Sequence, residues 1–118
     1  YMKWIGHTEF GPNYIPIHKQ NLNFQNDLEI NHWIEQWFLT YSDSFQSLKN
    51  KKNVHFISYE KLCINKDYWF QIQELVNIDK TYDFEYRESI KDIPYKIDKG
   101  IEDKAMSLYF DLNGLNII

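Results

Sequence analysis

The side chains able to do chemistry in this chain are few and scattered. His7, Glu9 and His18 fall in the first stretch. With residues 7–9 extended, His7 and Glu9 would point the same way, as two metal ligands do. A zinc site asks for more: a pair of histidines one helical turn apart, or grouped cysteines. No His-x-x-x-His pair is present and Cys63 is the only cysteine, so the reading is no metal. His32 has the chemistry of a general base, but no serine or cysteine nucleophile stands near it in sequence, and a surface or interdomain histidine is the better reading. Cys63 reads as a small buried residue. Glu29, Glu35 and Asp43 read as the solvated face of a helix. The four glycines are dispersed; Gly6 and Gly11 share a loop without the lysine a phosphate-cradling loop needs. No residue is assigned a catalytic role.

Tyr59 is the exception in position. It ends the run Val54-His55-Phe56-Ile57-Ser58 and opens Glu60-Lys61-Leu62, with no turn glycine between. In open α/β sheets ligands bind just beyond the carboxyl ends of strands. A tyrosine there offers a flat wall with a polar handle. Closing the edge of the core is an equally good use of it.

The elements that must position these residues are read from periodicity. Ile30, Ile34, Trp37, Phe38, Tyr41, Phe45 and Leu48 make one helical stripe, predicting a helix over 27–48. Asn26 stands as N-cap, with Glu29 three residues later as in a capping box. The run 54–58 is apolar on both faces, the pattern of a strand covered on both sides. A helix over 66–76 follows, capped by Asn65, with Trp69, Ile72, Leu75 and Val76 facing inward and Asn77 at the left-handed C′ position. A final helix over 101–113 carries Ile101, Ala105, Leu108, Tyr109 and Leu112, and Gly114-Leu115 ends it. Residues 1–26 form a structured loop in which Tyr14-Ile15-Pro16-Ile17 could be an edge strand; 78–99 is mostly extended loop. One strand is not a sheet, and a buried strand without neighbours leaves backbone groups unsatisfied. Its partners are therefore expected in sequence beyond this chain, and the opening Tyr1 fits a segment of a longer protein.

Composition narrows the class. With 118 residues, 43% hydrophobic and 18% aromatic, the chain has the apolar content of a packed domain. A net charge of −4 lacks the basic stripe that nucleic acid requires; Lys49, Lys51 and Lys52 suit a solvated loop after a helix. A lone cysteine fits a reducing compartment, and no run approaches membrane-spanning length.

Taken in order, these motifs resemble the later part of the sulfotransferase family. "VHFISYEKL" is similar to that family's buried strand ending in Tyr-Glu-x-Leu, and Leu75-Val76-Asn77-Ile78 to its Leu-Gly-Leu-like helix end, with Asn77 where glycine is common. "MKWIGHTEFGPNYIPI" and the tryptophan-bearing helix "HWIEQWFLTYSDSF" resemble segments of bacterial members. The likeness spans most of 2–78 and, weakly, 101–113. It implies the C-terminal portion of a P-loop-like α/β fold, mostly helical within this chain with one strand. It also implies transfer of a sulfuryl group from 3′-phosphoadenosine 5′-phosphosulfate to a hydroxyl or amine of a small-molecule or saccharide acceptor, in the cytoplasm. Such a reaction needs a phosphosulfate cradle, cationic stabilisation and a base; the family's cradle and base precede the matched region and have no counterpart here.

The resemblance places Tyr59 near the adenine. Lys99 and Gly100 fall at the family's Arg-Lys-Gly grip on the 3′-phosphate, with Asp98 standing where the arginine would be. His7, Glu9 and Phe10, in "GHTEFG", are set at the acceptor pocket. No metal, nucleic acid or membrane is expected, and a homo-oligomer is compatible with the sequence. The rival reading is a non-catalytic helical interaction module, or a sulfotransferase remnant that has lost its activity.

Overall fold

The structure, a computed structural model, describes residues 8–11, 13–79 and 95–114. Among them are four helices: α1 (Ile30–Leu48), α2 (Tyr59–Ile64), α3 (Lys66–Leu75) and α4 (Lys99–Gly114). No described residue lies in a strand or sheet. This corrects the α/β expectation, with its strand at 54–58 and its P-loop-like sheet.

The physical reason is visible in the segment itself. Val54–Ser58 does alternate, with Val54, Phe56 and Ser58 turned inward and His55 and Ile57 exposed. No second extended segment runs beside it among the described residues. The Ser58 N–H donates instead to the Tyr68 hydroxyl at 3.0 Å, a side chain taking the place of a ladder neighbour. Tyr68 is the most deeply buried apolar side chain. The proposed edge strand at 14–17 is also absent. Tyr14 N–H closes a turn onto Gly11 O, Ile15 N–H reaches Thr8 O, and Ile15 and Ile17 face outward. Gly11 adopts a positive φ of 86°, which its missing Cβ permits at that turn.

α1 starts later than periodicity predicts. Asn26 does not cap it. Its side-chain oxygen accepts from the Leu28 N–H, and its amide donates to the Glu29 carboxylate; Glu29 occupies the N-cap position without its side chain accepting from the helix N–H groups. The sequence reading assigns no element to 59–64; α2 is a helix there, with Ser58 Oγ accepting the Lys61 N–H as its N-cap. α3 follows the sequence reading closely. Asn65 Oδ1 accepts from Asp67 and Tyr68, and Asn77 takes φ 55°. The bonds Ile78 N–H to Gln73 O and Asn77 N–H to Glu74 O complete a Schellman ending. α4 begins two residues earlier than predicted because Asp98 caps it through the Ile101 N–H. Leu115, the expected partner of its glycine stop, lies outside the described residues.

The core sits between α1 and α4, which pack on each other, with α2 and α3 forming a second packed pair. Ile101, Leu108 and Leu112 supply the buried stripe of α4, and Tyr68 and Ile72 that of α3. The α1 stripe read from sequence is only half-buried. The residues of α1 most completely removed from water are His32, Glu35 and Gln36.

Candidate functional site

His32, Glu35 and Gln36 are one helical turn apart and share a face, against which the loop 14–24 is held. The Nδ1 of His32 lies 2.7 Å from Phe24 O, and Nε2 lies 2.6 Å from the Tyr14 hydroxyl. A carbonyl only accepts, so Nδ1 carries the proton and, in the neutral ring, Nε2 accepts from Tyr14. The Glu35 carboxylate accepts from the backbone N–H groups of Asn23 and Phe24 at 3.0–3.1 Å. The Gln36 amide bonds both the N–H and the C=O of His18, as a strand neighbour would. His32 is 1% exposed and Glu35 4%. They are neither a surface histidine nor a solvated helix face, because the loop closes over them. The sequence signal was there in their 32/35/36 spacing, but polar residues at that spacing are read as the outer face unless a partner is known.

Tyr14 also packs on this cluster, edge-on to His32 and tilted over Trp33 with centroids 4.9 Å apart. Burial, with a smaller contribution from Asp27, raises its hydroxyl above the ordinary tyrosine range.

The second constellation lies where 54–58 enters α2. A cleft of about 430 Å³ is lined by aromatic rings from α1 (Trp37, Tyr41), by the 55–60 segment including Tyr59, and by Tyr109 of α4. Trp37 and Tyr41 stack at 5.1 Å. The Glu60 carboxylate accepts from the Ser58 hydroxyl at 3.3 Å and from the Tyr109 hydroxyl at 3.4 Å. Tyr59 itself is 61% exposed. A hydrogen bond with the Cys63 side chain one turn on raises its hydroxyl above the usual range. The tyrosine is thus a ring on the cleft rather than a plug in the core.

The remaining residues assigned by resemblance sit elsewhere. Gly100 lines a separate cleft of about 260 Å³ with Asn23, Glu35, Asp98 and Lys104. The Lys99 Nζ is 3.0 Å from Asp103 and 3.9 Å from Glu102, and these carboxylates raise its pKa, the Asp103 hydrogen bond first. A Cβ at position 100 would stand 3.2 Å from the Asp98 cap oxygen. Asp98, found where the resemblance sets an arginine, therefore has a local structural use, and its N–H further ties it to Asn31 Oδ1 of α1. Glu9 and Phe10 are exposed on the first loop and line neither cleft; His7 lies outside the described residues. The His18 ring lies 4.0 Å from Asp43. Among the described residues no three His, Cys, Asp or Glu side chains converge on a cation-sized site.

Comparison of the chain with protein-family models, with curated proteins and with solved structures returned no match. No helix among the described residues is long and apolar enough to cross a membrane.

Proposed function

We propose that this chain contributes the adenine-flanking and acceptor-side part of a cytoplasmic, bacterial-type sulfotransferase. The phosphosulfate-binding loop and the base are supplied by sequence outside it. The observation that supports this reading is the placement of Tyr59. It is exposed at the first turn of α2, directly after an extended apolar segment, and borders a cleft walled by aromatic rings. A flat heterocycle stacks on such a ring at little conformational cost.

The reaction so assigned moves a sulfuryl group from 3′-phosphoadenosine 5′-phosphosulfate to a hydroxyl or amine, leaving 3′-phosphoadenosine 5′-phosphate. Lys99 and Gly100 are assigned to the 3′-phosphate. For that, Lys99 must exchange its ion pair with Asp103, an exposed pair of small net worth. His7, Glu9 and Phe10 are assigned to the acceptor.

The test is calorimetric titration of 3′-phosphoadenosine 5′-phosphate into a polypeptide joining this chain to its phosphosulfate-binding loop. Binding is expected, with Tyr59→Ala weakening it about tenfold through the lost stacking surface. Absence of binding, or an unchanged affinity in Tyr59→Ala, overturns the reading.

A second reading, a non-catalytic helical interaction module or inactive remnant, is favoured by an open apolar groove between α1 and α4. Trp33, Ile34, Trp37, Ile97, Ala105 and Met106 line it. The same titration separates the two, since such a module binds no nucleotide.

A further inference from the structure

We infer that the aromatic cleft beside α2 is a binding site for an organic ammonium group, recognised by Glu60 within a box of Trp37, Tyr41 and Tyr109. Three observations carry this. The first is charge: among the described residues lining the cleft, Glu60 is the only acidic one and none is lysine or arginine. A phosphate, sulfate or carboxylate would meet the like charge of Glu60 there, and His55 is the one basic side chain in the described lining. The second is the character of the walls. Three separate elements bring four aromatic rings, Trp37 and Tyr41 from α1, Tyr59 from α2 and Tyr109 from α4. Ring faces carry negative potential and attract a cation within about 6 Å. The third is the way Glu60 is held. Ser58 and Tyr109 both donate to its Oε2, which aims the carboxylate while leaving accepting capacity on the group.

The volume, about 430 Å³, falls inside the roughly 300–1,000 Å³ span of small-molecule sites. Lys61, the residue after Glu60, has its Nζ 6.0 Å from the Tyr68 ring centroid and does not line the cleft. The positive end of α2 opposes a cation, but this helix has six residues and carries Glu60 in its first turn, so its field is small and partly cancelled.

The inference does not depend on sulfuryl transfer. An ammonium site stands whether or not the chain takes part in nucleotide binding, and the two are tested by different ligands. The probe pair is choline and 3,3-dimethylbutan-1-ol, its neutral carbon isostere, each titrated into the 118-residue chain and followed by heteronuclear NMR. Choline is expected to shift the Trp37 indole and Tyr109 neighbourhood saturably and to bind about tenfold more tightly than the alcohol. Glu60→Gln, which keeps the shape and the bonds from Ser58 and Tyr109, is expected to bring choline down to the alcohol's level. Tyr41→Leu, on a partly exposed wall, is expected to weaken choline about threefold and leave the circular dichroism spectrum unchanged. Equal affinity for the two probes, no saturable choline binding, or undiminished choline binding in Glu60→Gln overturns the inference.

Discussion

At the scale of single residues, the interior of this protein is organised as much by polar groups as by apolar ones. Glu35 is the clearest case. A buried carboxylate is costly unless its oxygens are satisfied, and here backbone N–H groups of Asn23 and Phe24 satisfy them. Burial of the Tyr14 hydroxyl, with a smaller contribution from Asp27, adds a pH dependence. Because folding raises the Tyr14 pKa, the folded state holds its proton more tightly than the unfolded state does. The associated stability is present below the ordinary tyrosine value of about 10 and is lost as pH rises through the higher folded value. Urea midpoints of the parent are therefore expected to fall above about pH 10. Tyr14→Phe starts lower by about 1 kcal/mol at neutral pH, having lost the bond to His32, and shows a smaller alkaline decline. An equal alkaline decline in both proteins would assign that loss to other tyrosines.

At the scale of elements, helix boundaries were most legible at α3, where short polar side chains bracket an apolar period. Asn65 and Asn77 bracket α3 in sequence as they do in space, because side-chain and left-handed caps are local interactions. The start of α1 was misread because Asn26 has two local options, and it takes the turn onto Leu28 over the helix. Asp98 was read as a missing arginine; in the structure it is the cap of α4. Asp98→Ala is expected to cost about 1 kcal/mol of stability by urea denaturation. Asp98→Asn retains most of that, because an amide oxygen caps nearly as well. A cost in the alanine variant near zero would show that the Asn31 tie, made to the backbone of residue 98, is what holds this end of the helix.

At the scale of the whole molecule, α1 packs on α4 although the two lie far apart in sequence. Leu108 is buried on the inner stripe of α4. Leu108→Ala is expected to lower stability by about 2–4 kcal/mol, read from the urea midpoint, while the more exposed Met106→Ala costs under about 1 kcal/mol. The same packing builds the aromatic cleft, since Tyr109 arrives from α4 and Trp37 from α1. That is why the cleft was only partly legible. Tyr59 could be singled out by its position after an apolar run, but Ser58, Glu60 and Tyr109 come together across 49 residues of sequence, a separation no periodicity spans.

The sequence by itself determined that α1, α3 and α4 are helices, but not α2. Apolar spacing, Asn65, Asn77 and the stripe of α4 are local and act over a few residues, so they survive without knowledge of the fold. Only the tertiary structure decided what the extended segment 54–58 becomes and which polar residues are inside. A strand exists only if another lies within hydrogen-bonding distance, and here the Tyr68 hydroxyl takes that place. Likewise, His32, Glu35 and Gln36 are buried only because a loop with matching donors and acceptors closes over them.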